Sequence, residues 1–151
     1  MLNTLFILAA IVVGGLLTVQ GILNSQLAHS LNHPMQATLI SFFVALIAIL
    51  AFMAFRGIPL PSIVLLKPLP PYLFIGGFLG VIYVTTVLVL MPKIGATNVV
   101  FAIFIGQTLV SITVDHFGVA GIPQHQLNLP RIAGIVLLFA GLYLVQMKPA
   151  G

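Results

Sequence analysis

No cysteine occurs in the 151 residues of this chain, and only one acidic residue does, Asp115. Without cysteine there is no disulfide framework, no thiolate metal site and no cysteine nucleophile, and the redox compartment is left open. Without a second carboxylate there is no paired-acid catalytic centre, and the four histidines show no metal-ligand spacing. No Ser/His/Asp arrangement or phosphate-binding glycine loop is visible, so an enzyme is not expected, and no cofactor or metal is implied. Basic runs are missing as well. The five cations, Arg56, Lys67, Lys93, Arg131 and Lys148, are scattered singly, which leaves no footprint for a nucleic-acid backbone.

Charge as a whole is scarce. Charged residues make up 4% of the chain, where a soluble domain carries about 25%. Hydrophobic residues make up 61%, against roughly 45–50% in a soluble domain. So few charges cannot cover a water-facing surface, so most of the chain must face the lipid bilayer. The expected class is an all-α polytopic membrane bundle.

Proline divides the apolar sequence. It removes a helical hydrogen bond and clashes with the preceding turn, so it collects between helices. The ten prolines leave five apolar runs, near 3–27, 36–55, 72–91, 95–115 and 130–147, with Pro130 opening the last and no proline expected in the interior of any. Each approaches the ~20 residues that a membrane-crossing helix needs. The first run has no positive side chain before it and exceeds a signal-peptide core, so it reads as a retained span. All five cations sit at or beyond run ends, and Tyr72 and Tyr143 lie near span ends, where aromatic belts form.

The third and fourth runs are joined by little more than "MPKIG", which predicts a hairpin. In the proline-rich segment 56–71 the apolar middle, Ile63 to Leu66, suits the membrane surface. The chain reads as one five-span domain, residues 1–151, with its termini on opposite sides. With the N-terminus inside, Arg56, Lys67 and Arg131 are cytoplasmic and Lys93 and Lys148 are not. Three against two is a feeble positive-inside bias, which permits insertion in either orientation.

Small and polar residues inside the runs are the candidates for packing and function. Gly14 and Gly21 lie seven apart on the first span, Gly76 and Gly80 form G-x-x-x-G on the third, and Gly134 and Gly141 lie seven apart on the fifth. Such spacings let helix backbones approach closely, and they suit plain packing or a sliding seam. The first span, "LLTVQGILNSQL", gathers Gly14, Thr18, Gly21 and Ser25 on one arc, beside the i, i+4 pair Gln20 and Asn24. That half of the helix faces protein or water, not lipid.

The fourth span, "IGQTLVSITVDHFG", carries Gln107, Ser111 and Asp115 at i, i+4 and i+8, with Thr108 alongside. Gln107 lies about 18 Å along its run at a 1.5 Å rise. Its amide must find a partner there, either as interhelical glue or as part of a substrate cavity lined by Gln20, Asn24, Gln107, Ser111 and Thr18. Asp115 ends its run at the unfavourable pole of the helix dipole, so it needs compensation, for which Arg131 is the natural partner. It reads as an interfacial ion pair or as a proton- or cation-binding group at a cavity mouth. The histidines read as solvated loop residues.

The segments "QGILNSQLAHSLNHPMQATLISFF", "MPKIGATNVVFAIFIGQTLVSITVDHFG" and "RIAGIVLLFAGLYLV" resemble the YdcZ-type family over nearly the whole chain. The most specific element is G-Q followed eight residues later by D-H-F-G. The resemblance implies a small five-span bacterial inner (cytoplasmic) membrane protein related to the drug/metabolite transporter superfamily, whose larger members resemble two inverted five-span halves. It therefore implies half of a ten-helix inverted-repeat transporter, a small-molecule substrate, and a partner that is either a second antiparallel copy or a paralogue. A non-transporting structural or regulatory membrane subunit is the alternative.

Overall fold

A computed structural model describes residues 2–118, 124–125 and 128–146. Pro123, Lys148, Pro149 and the last residue of the expected fifth span lie outside them. The described residues form helices and connecting turns with no strand. The helices are α1 (Leu2–Leu31), α2 (Pro34–Arg56), the single turn α3 (Ile63–Leu66), α4 (Ile75–Ile94), α5 (Ala96–Phe117) and α6 (Leu129–Gln146), with a 3-10 turn at Pro71–Phe74 leading into α4. The all-helical membrane bundle expected from composition is what the chain forms. Four helices are long and apolar enough to cross a membrane, and only 6% to 11% of their most apolar windows is buried inside the chain. Side chains such as Leu39, Phe55 and Phe78 stand exposed, as a hydrocarbon environment requires. The fifth apolar helix, Leu129–Val145, is shorter, about 26 Å at the standard rise.

Helix ends follow local chemistry. Pro34 restricts the residue before it, and His33 is extended at φ −154°, ψ 119°. Asn32 takes the left-handed conformation, φ 56°, that stops α1. α1 therefore runs to Leu31, four residues past the expected end, because Ala28 to Leu31 meet no helix breaker. At the end of α2, Gly57 is left-handed at φ 64° and its N–H bonds the Ala54 carbonyl, while the Ile58 N–H bonds Met53. This double bond is a Schellman cap. α3 is one turn capped by the Ser62 side chain, with Ile63, Val64 and Leu65 exposed.

One expectation fails at Pro92, which lies inside α4 and not after it. In the last turn the ring costs a single i→i−4 bond, from residue 92 to the Leu88 carbonyl, and the helix still reaches Ile94.

Backbone contacts gather the chain into two compact units, Met1–Ile94 and Gly95–Gly151. In the first, α1, α2 and α4 pack pairwise around Ala37, Val87, Leu88 and Met91. At Gly21 α1 lies close against α4: a Cβ there would lie 2.6 Å from Met91 Cε and 3.0 Å from Val87 Cγ1. A Cβ on Gly80 would make ordinary contact with Phe42. Against Gly14, Gly76, Gly134 and Gly141 nothing lies within 4 Å, so these four do not pack helices within the described chain.

α2 and α4 are further tied by the Thr38 and Thr85 hydroxyls, 2.9 Å apart, with Thr38 only 2% exposed. Thr38→Val is expected to cost about 1 kcal/mol of stability. Adding Thr85→Val should recover part of it, as measured by a double-mutant cycle of melting in detergent. In the second unit α5 packs against α6.

Candidate functional site

The polar column of the fourth span opens onto a groove between α5 and α6 of about 640 Å³. From α5 it is lined by Phe104, Gln107, Thr108, Ser111, Ile112 and Asp115, which is one continuous face at i, i+3, i+4, i+7, i+8 and i+11. From α6 it is lined by Arg131, Gly134, Ile135 and Leu138, again i, i+3, i+4 and i+7. The α6 wall was not recognised from sequence. Its signal lay in the spacing of Arg131 to Gly134 and Leu138, where glycine leaves a floor no side chain fills.

The charged end of the groove is built by helix ends. Asp115 stands in the last turn of α5, where a negative charge is disfavoured by the macrodipole. Arg131 stands in the first turn of α6, where a positive one is. Each relieves the other: Arg131 Nη2 lies 3.4 Å from Asp115 Oδ2. The contact is longer than the 2.7–2.9 Å of a tight charge-assisted bond, and the two side chains are 36% and 30% exposed. A pair of this kind is worth about 1 kcal/mol or less, so it closes the mouth of the groove loosely.

Gln124 and His125, between the two helices, bond back to the end of α5 beside the pair. The His125 N–H bonds the Asp115 carbonyl at 2.8 Å, and Gln124 Nε2 donates to the His116 carbonyl at 2.9 Å. With the Gly118 N–H on Val114, these satisfy carbonyls that the end of α5 leaves orphaned. Arg131 Nη1 donates to the His125 carbonyl at 3.1 Å, and its backbone N–H donates to Asn128 Oδ1 at 3.0 Å. That last bond is an N-cap, which explains why α6 begins at Leu129.

Along the groove the hydroxyls and amides differ in what they have left to offer. Thr108 donates to the Phe104 carbonyl at 2.7 Å. Gln107 and Ser111 are exposed, and among the described residues their side chains have no hydrogen-bond partner.

The polar face of α1 belongs to the other unit. Gln20 and Asn24, with Leu17 and Gly21, meet Tyr83, Val84 and Val87 of α4 around a crevice of about 10 Å³, room for one water at most. Asn24 is 8% exposed, yet among the described residues its amide has no partner. Thr18 does not line the crevice; its hydroxyl donates to the Gly14 carbonyl at 3.2 Å. A hollow of about 310 Å³ lies at the α1–α2 turn, with Ser25, His29, His33, Leu88 and Pro92 among the residues that line it. His29, expected beside the loop, stands in the last turn of α1.

Among the described residues no fully buried side-chain nitrogen or oxygen lacks a partner, so the Asn24 amide reaches the crevice. Asn24→Ala removes no hydrogen bond made within the described chain and is expected to change stability, read from the melting temperature, by no more than about 1 kcal/mol. A loss of transport in the same variant, with the melting temperature held, marks Asn24 as a residue that meets the solute.

A model of the family described as "Putative inner membrane exporter, YdcZ" matches residues 5–144. The chain belongs to this family. As a member it is a multi-pass inner-membrane protein and a membrane transporter, and the polar groove is set in an otherwise apolar family fold. No curated protein and no solved structure matches the chain.

Proposed function

We propose that this YdcZ-family chain is a secondary transporter that exports a small organic molecule by alternating access. The observation that carries the reading is the α5 column. Gln107 and Ser111 reach a groove of about 640 Å³ with their hydrogen-bonding capacity unused among the described residues. Uncommitted polar groups inside an apolar span are expensive unless water or a solute meets them. Gln20 and Asn24 of α1 give the first unit a polar face of its own. The loose Asp115–Arg131 pair is the clasp at the groove mouth. Asp115, the chain's one acid, is the coupling group through which a proton gradient acts.

Five spans are half of an inverted-repeat carrier. Two copies inserted in opposite orientations, or one copy with a paralogue, place a substrate site at the repeat interface near the midplane. The glycine faces of Gly14, Gly76 and Gly141, unused within the described chain, are available for that assembly.

Two experiments test the proposal. Purified protein in proteoliposomes should release a panel of small amphiphiles along a pH gradient, and Asp115→Asn should lose the dependence on the gradient. A purely structural subunit releases none of them. Single cysteines at either terminus, probed with membrane-impermeant thiol reagents, should label from both sides for the dual-orientation homodimer. Labelling of each terminus from one side alone leaves only the paralogue partner.

A further inference from the structure

We infer that the α5–α6 groove selects solutes of zero net charge; the inference rests on the groove being the substrate site. Ten residues line the groove, and only two carry charge: Asp115 and Arg131, of opposite sign. Their sum is zero. Neither His116 nor His125 is among the lining residues. The remaining wall is amide, hydroxyl and hydrocarbon. An ion entering alone meets no net counter-charge there, so the water it gives up against the amide, hydroxyl and hydrocarbon wall goes unrepaid.

A cation that pairs with Asp115 strands Arg131 beside it. An anion that pairs with Arg131 strands Asp115. A neutral amide needs neither, and a zwitterion meets both. The geometry leaves room for the second case. The ion pair is a single contact of 3.4 Å from Nη2 to Oδ2. Among the described residues Asp115 Oδ1 takes no hydrogen bond, and of the five guanidinium N–H donors one on Nη1 and one on Nη2 are engaged. An ammonium and a carboxylate can therefore bridge the pair without dissolving it, while the solute's apolar end lies toward Leu138 and Phe104. The distance from Asp115 to Phe104 along α5 is about 17 Å at the helical rise.

The test is calorimetric binding to the full chain in lipid nanodiscs with four probes of nearly equal size. These are phenylalanine (zwitterion), 3-phenylpropanamide (neutral), phenethylamine (cation) and 3-phenylpropanoate (anion). Phenylalanine and the amide should bind at least about tenfold more tightly than either ion, the ratio expected for losing one net charge-assisted contact. Arg131→Gln should reverse the order toward phenethylamine, and Asp115→Asn toward 3-phenylpropanoate. The wild-type ranking alone decides the matter if either variant fails to fold. Tightest binding of an ion to the wild type overturns the inference and leaves the groove as the substrate site. Tight binding of all four that is unchanged by Gln107→Ala, or binding of none, overturns the groove reading with it.

Discussion

Gln107→Ala should lower export at least about tenfold in proteoliposomes, for whichever solute the wild type carries fastest, while leaving the melting temperature nearly unchanged. The two halves of this expectation have one cause. Among the described residues the Gln107 amide bonds nothing, so removing it takes no interaction from the folded chain. In the carrier it supplies a hydrogen bond to the solute, and about 1.4 kcal/mol of lost interaction corresponds to a factor of ten. Val110→Ala is the matched control. Val110 lies on the same helix, does not line the groove and is 65% exposed. It should change neither flux nor stability. If Gln107→Ala instead lowers the melting temperature and spares flux, the amide is interhelical glue.

Gly21→Ile is expected to be the most damaging single substitution for folding, at about 3 kcal/mol or more, because overpacking a close helix contact forces backbone to shift. A Cβ at this position meets Met91 Cε at 2.6 Å and Val87 Cγ1 at 3.0 Å. For a Cβ alone the methionine tip can swing away and Val87 must give by only a few tenths of an ångström, but the stiff valine cannot make way for a larger branched side chain. Gly21→Ala should therefore cost much less than Gly21→Ile, and Met91→Ala should rescue part of the larger loss in a double-mutant cycle. Gly14→Ile is the informative contrast. Nothing within the described chain lies within 4 Å of a Cβ there, so a monomer should tolerate it. Equal damage from both substitutions identifies the Gly14 face as one that another chain covers. Melting in detergent, with the oligomeric state measured alongside, separates these outcomes.

The legible parts of this protein were those that a single helix determines. Apolar run length gave the helices, and the 3.6-residue period placed Gln107, Ser111 and Asp115 on one face, which all line the same groove. Dipole reasoning named Arg131 as the group for Asp115, and the two stand 3.4 Å apart.

What stayed hidden depends on two helices at once. Periodicity says which way a face points and not what stands opposite, so the α6 wall from Arg131 to Leu138 went unseen. The Thr38–Thr85 contact joins residues 47 apart in the chain and has no local pattern. Glycine spacing marks faces fit for packing, yet of the six glycines named only Gly21 and Gly80 have anything within 4 Å of a built Cβ. The proline rule failed at Pro92 for a physical reason: one lost bond in a last turn does not stop a helix.

The central claim is that water and solute reach the α5 polar column inside the membrane. The chain has no cysteine, so Ser111→Cys introduces a unique thiol into the groove without further mutation. Reconstituted and treated with a membrane-impermeant thiol reagent, that position should label from the aqueous phase, and a carried solute should slow the reaction. A Ser111→Cys protein that stays unmodified from both sides of the membrane, while a separate variant with its single cysteine at an exposed terminus reacts fully, would contradict the account.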